Sequence, residues 1–103
     1  MTNEEFMKEV EISYRRSIEV LEEKKKEYGT EEDRLIQFYD VARASDNNPC
    51  NALTGMAAKH YSSINIMSRF PHDYTLKQWN SKITDLRNYT FLLDALIRDI
   101  GIK

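Results

Sequence analysis

The stretch Thr75–Ile100, TLKQWNSKITDLRNYTFLLDALIRDI, decides the fold. It contains neither glycine nor proline. Thr75 and Gln78 stand at the spacing of a capping box, so a helix starts there. Trp79, Ile83, Leu86, Leu93, Leu96 and Ile100 then recur at helical intervals to the end of the stretch. A segment of this length with one apolar stripe is a long amphipathic helix, and such a helix needs others to cover it.

Three further segments supply that cover. Thr2 and Glu5 have capping-box spacing, and Met7, Val10, Tyr14, Ile18, Leu21 and Tyr28 form one stripe. This predicts a first helix from about Asn3 to Tyr28, stopped at Gly29. Thr30 reads as the N-cap of a second helix, with Glu31, Glu32 and Asp33 complementing its dipole. Leu35, Phe38, Tyr39 and Ala42 make its apolar face, and the loop residues SDNNP end it near Ser45. Asn48 caps a third helix with Pro49 at its first position. Its stripe is Leu53, Met56, His60, Ile64 and Met67, and Pro71 ends it. No stretch alternates as a strand would. The expectation is one all-α domain over residues 1–103: a four-helix, bundle-like array with long first and fourth helices, whose ends pack against a second copy.

Composition narrows the function. The chain has 103 residues, 41% of them hydrophobic, enough for one core. The net charge of −2 argues against general nucleic-acid binding but leaves room for a small anion in a local basic pocket. The single cysteine, Cys50, can form neither an internal disulfide nor a CxxC metal pair, and reads as a half-buried residue near a helix start. No apolar run approaches the roughly 18 residues of a membrane span. The acidic start MTNEEFMKEV does not read as a secretion signal, so an intracellular protein is expected.

Against the apolar stripes, several polar residues stand out. Lys59 and His60 sit side by side in the middle of the third helix; Asp85 and Asn88 border the stripe of the fourth, on the same side as Tyr89; Arg34 follows the acidic start of the second. A lysine meets a phosphate well, and an asparagine can both donate to and accept from a base edge. Tyr61 and Tyr74 offer aromatic faces to a nucleobase, whereas Trp79 and Tyr89 read as core. Metal chemistry needs several carboxylates at one point. Asp85, Asp33 and Glu32 are weak candidates, because Glu31, Glu32 and Asp33 are consecutive and cannot all face one ion. There is no glycine-rich phosphate loop, no GxSxG and no cysteine paired with a suitably placed histidine.

The order KKKEYG, DRLIQF, ALTGMAAKHYSSI and WNSKITDLRNYTFLLDAL resembles small phage and prophage proteins related to the nucleotide-modification-associated domain family, and more distantly the all-helical MazG-type NTP pyrophosphatases. The resemblance covers about Lys24 to Ile97. It implies an all-α fold, a role near nucleotides and the cytoplasm of a host bacterium. Tyr28, Gly29, Asp33, Arg34, Leu35, Lys59, His60, Asp85, Asn88 and Tyr89 match its pattern. Glu27 and Asn80 depart from it, and the larger acidic set that holds magnesium in MazG-type enzymes is not present. The leading expectation is therefore a non-catalytic nucleotide binder using Lys59, His60, Arg34, Asp85, Asn88 and Tyr89, without a required cofactor. The alternatives are a magnesium-dependent nucleotide pyrophosphatase and a module that binds a host protein.

Overall fold

A computed structural model of the chain describes residues 1–25 and 33–103. Among the described residues four helices run in the order α1 (Asn3–Glu23), α2 (Ile36–Ala44), α3 (Pro49–Met67) and α4 (Leu76–Asp99), with a 3-10 turn at Pro71–Asp73. No strand occurs among the described residues. The fold is all-α and bundle-like, as the periodicity predicts.

The helix starts set by side-chain caps fall where expected. The Thr2 hydroxyl accepts the Glu5 N–H at 3.1 Å. The Asn48 side chain accepts the Asn51 N–H at 2.9 Å, with Pro49 in the first turn. Thr75 and Gln78 form the complete reciprocal box, at 3.1 and 2.8 Å. Each such cap contributes about 1 kcal/mol. The far end of α4 closes by a Schellman motif: Gly101, at φ +87°, lets the Ile102 N–H reach the Ile97 carbonyl at 3.2 Å.

The second helix starts later than its sequence suggests. Asp33 and the turn at Arg34 and Leu35 are not helical, and α2 begins only at Ile36. The Asp33 carboxylate accepts the Leu35 N–H at 3.0 Å, a local bond that competes with helix. The first helix ends earlier than expected, at Glu23, where the Lys24 N–H closes on the Val20 carbonyl. The predicted features at Tyr28, Gly29, Thr30, Glu31 and Glu32 lie outside the described residues.

The core forms where α2, α3 and α4 meet. Leu35, Phe38, Leu53, Tyr89, Leu92 and Leu96 are buried together, with Leu21, Cys50 and Met56 packed against them. Phe38 and Leu96 are fully buried, worth about 1.5–3 kcal/mol each. On α4 the buried column is Thr84, Asn88, Leu92 and Leu96, whereas Ile83 and Ile100 of the predicted stripe are exposed. The α1 stripe is a larger departure. Met7, Val10, Tyr14 and Ile18 are exposed, and the one buried residue of α1 is Ser17. Among the described residues, the bonds and ring contact that hold α1 against α4 fall at Ser13, Tyr14 and Ser17. The molecule is correspondingly elongated, 43 × 27 × 27 Å, with a radius of gyration of 15.5 Å. A compact chain of this length would have about 13 Å.

No helix among the described residues is long and apolar enough to cross a membrane.

Candidate ligand-binding site

Three helices bring polar side chains together around Asp85. One carboxylate oxygen lies 3.6 Å from Lys24 Nζ, at the end of α1, and the other 3.9 Å from His60 Nδ1, in the middle of α3. All three are largely shielded, and Asp85 most of all, at 18% exposure. The His60 ring lies over Tyr89, one turn further along α4, with centroids 5.0 Å apart and planes tilted by 35°. Tyr89 is itself buried, as its core reading predicts.

Beside this cluster the α3–α4 groove opens into a cavity of about 360 Å3. Ile66 and Met67 give it an apolar floor, and Ser63, Gln78, Ser81 and Lys82 line it with polar groups. Ser63 stands one turn from His60 on α3, and Lys82 one turn from Asp85 on α4. Tyr74 adds an aromatic ring to the lining. Its ring is set by an edge contact with Trp79, 6.2 Å between centroids, and the Trp79 indole N–H in turn donates to the Pro71 carbonyl at 3.0 Å. Trp79 is thus a half-buried pin for the turn before α4 rather than a core residue.

The sequence-predicted site residues divide. His60, Asp85 and Tyr89 meet. Lys59 does not join them: it is exposed on α3 and forms no ion pair with Asp85. Consecutive helical residues point about 100° apart, so His60 facing inward turns Lys59 outward. The cation at Asp85 is Lys24, from the mixed-charge run EEKKKE, which on its own reads as a solvated face. Arg34 lies elsewhere. It donates to the Leu21 carbonyl and lines a separate cavity of about 370 Å3 with Ile18, Leu35 and Phe91. Asn88 faces α1: its amide donates to the Ser17 carbonyl at 3.3 Å, and its Oδ1 is buried without a partner. Beside it Arg87 donates to the Ser13 carbonyl at 2.9 Å and to the Ser17 hydroxyl at 2.7 Å. Burial, reinforced by Arg16, lowers the Arg87 pKa.

Of the three weak metal candidates, two lie among the described residues. The Asp33 carboxylate holds the Leu35 N–H and Asp85 holds Lys24, while Glu32 lies outside the described residues. Among the described residues no three of His, Cys, Asp or Glu stand close enough to hold an ion. Sequence spacing missed Lys24, Ser63, Ser81 and the Ser13–Ser17–Arg87 seam. The signal available for the groove was the small polar pair Ser62–Ser63, amid an otherwise apolar run.

No protein family, curated protein or solved structure matches this chain.

Proposed function

We propose that the chain is a non-catalytic binder of a nucleotide or similar small phosphate-bearing molecule, acting as a homo-oligomer in the cytoplasm of a host bacterium. The observation that carries this reading is the α3–α4 groove, which presents Lys82, Ser63, Ser81, Gln78 and the Tyr74 ring around apolar Ile66 and Met67. Its volume of about 360 Å3 falls in the range of small-molecule sites, about 300–1,000 Å3. Electrostatics favours an anion there. Asp85 would otherwise compete for Lys82 one turn away, but Lys24 and His60 already flank its carboxylate. Lys82 is left to meet a phosphate, and Tyr74 to meet a base. The phosphate role expected of Lys59 thus passes to Lys82. The resemblance to phage nucleotide-associated proteins points the same way.

Hydrolysis is the weaker reading, because a magnesium mechanism needs converging carboxylates, and Asp33 and Asp85 each hold a different partner. Calorimetry with mono-, cyclic and dinucleotides tests binding. Lys82→Ala is expected to weaken the best ligand at least tenfold, and Lys59→Ala to leave it unchanged. If no nucleotide binds more tightly than about 100 μM, roughly −5.5 kcal/mol, the proposal fails. Phosphate release that disappears in Asp85→Ala would establish the enzyme instead.

A further inference from the structure

Every residue from Met1 to Ile12 is exposed, although Asn3–Ile12 are helical. This half of α1 is strongly amphipathic. Phe6, Met7, Val10 and Tyr14 are 54, 59, 42 and 51% exposed and follow one another at helical spacing. Phe91 of α4 extends the same face, edge-on to Tyr14 with centroids 6.1 Å apart. A helical segment this short is marginal in water without tertiary packing. An apolar face of this kind on such a segment calls for a cover.

Surface area says how large a cover. The chain exposes 7637 Å2. A globular monomer of 12.2 kDa would expose about 6,100 Å2. The surplus is about 1,500 Å2, against the roughly 800 Å2 that each partner buries in a stable interface. Charge says which cover. Acidic Glu4 and Glu5 precede the apolar face, and basic Arg15 and Arg16 follow it. Two copies of α1 laid antiparallel about a two-fold axis beside Val10 set Phe6 opposite Tyr14. The same pairing brings Glu4 and Glu5 level with Arg16 and Arg15, twice by symmetry, although Glu4 and Arg15 also pair with Lys8 and Glu11 within α1 and Glu9 falls opposite Glu11. A parallel pairing would oppose like charges at every one of these positions. An anionic bilayer is a poor alternative, since the seven glutamates of α1 outnumber its three basic residues.

We infer that the N-terminal half of α1 is the interface of an antiparallel homodimer with its two-fold axis beside Val10. This gives a surface and a geometry to the oligomer in the proposed function, and it does not depend on the α3–α4 groove or its ligand.

Sedimentation equilibrium of the full chain from about 1 to 100 μM tests it. The expected species is a dimer of twice 12.2 kDa. Val10→Glu, at an exposed position, should weaken dimerisation at least tenfold with nucleotide affinity in the groove unchanged. A second pair of variants does not touch the apolar face. Glu4→Lys/Glu5→Lys and Arg15→Glu/Arg16→Glu should each self-associate more weakly than the wild type, and mixing the two should restore a dimer. A wild type that stays monomeric across this range overturns the inference, whether or not it sediments with anionic vesicles. A dimer indifferent to Val10→Glu and to both charge variants also overturns it, because another surface must then hold the copies together. Loss of nucleotide binding alone would count against the groove and leave this interface standing.

Discussion

The seam between α1 and α4 carries a sharp prediction at Arg87. Its guanidinium makes two bonds to α1, one to the Ser13 carbonyl at 2.9 Å and one to the Ser17 hydroxyl at 2.7 Å. Ser17 has no solvent exposure. Arg87→Met keeps most of the side-chain length and removes both bonds. Hydrogen bonds to a charged donor contribute about 1.5–3 kcal/mol, and an orphaned buried hydroxyl adds a penalty of similar size. Two effects offset this. The half-buried guanidinium no longer has to be desolvated, and the Ser17 hydroxyl can turn to the Ser13 carbonyl, one helical turn back. The expected net loss is about 2 kcal/mol, or a fall of about 8–10 °C in Tm for a chain of this size. Ser17→Ala should cost less, about 1 kcal/mol, because Arg87 keeps the Ser13 carbonyl and its open side takes water. The double variant should fall short of the sum of the two single losses by about 1 kcal/mol. Urea unfolding followed by circular dichroism measures all three, at one fixed chain concentration because self-association adds to apparent stability. An Arg87→Met loss below about 0.5 kcal/mol would refute the reasoning, since that is the range of an ordinary surface change.

Leu96→Ala, at a fully buried position, is expected to cost about 3 kcal/mol in urea unfolding, while Ile83→Ala, on the exposed side of the same helix, should stay within about 0.5 kcal/mol. The Tyr39 phenol donates to Asp99 at 2.7 Å, and that bond, with some desolvation, pushes its pKa from 10.0 up to about 12. A folded-state value above the unfolded one means the contribution is complete below pH 10 and is lost as pH rises toward 12. Tyr39→Phe should therefore flatten the alkaline fall in stability, measured by unfolding across that range. Gly101→Ala, at φ +87°, should cost about 1 kcal/mol and raise hydrogen exchange at the Ile102 amide, which closes the end of α4.

What the sequence revealed depends on how local the physics is. The starts at Thr2, Asn48 and Thr75 were legible because a cap is a bond between residues three apart. The start of α2 was not. An aspartate that complements a helix dipole and one that captures the Leu35 N–H look alike in sequence, and at Asp33 the second role prevails. The α1 stripe correctly announced an amphipathic helix, but periodicity says only that a face is apolar, not what covers it. Among the described residues, the hydrogen bonds from α4 reach α1 at Ser13 and Ser17. Helical spacing likewise places Lys59 and His60 around their own axis and cannot say which neighbouring helix each will meet. Asp85 finds its lysine at the end of α1, from a mixed-charge run that looks solvated when read alone.

The polar residues in the α1–α4 seam raise a last question, because leucine would bury more apolar area there. Asn88 is buried with one amide bond made to the Ser17 carbonyl and its Oδ1 unpartnered, so it adds little net stability. Its value lies in register. A wholly apolar seam can shift by a helical turn, 5.4 Å, at small cost, and buried polar residues are a known means of fixing alignment between helices. A shift of that size would break the 3.6 Å contact between Lys24 and Asp85 and leave the carboxylate free to draw Lys82 away from the groove. Asn88→Leu should accordingly be near neutral in urea unfolding, within about 1 kcal/mol, because it removes the donor and the orphaned oxygen together. It should nonetheless broaden or split the amide signals of α1 in nuclear magnetic resonance spectra and weaken ligand binding. A variant with one sharp set of α1 signals and unchanged affinity would show that apolar packing alone sets the register, and that Arg87 with Ser17 needs no help from Asn88.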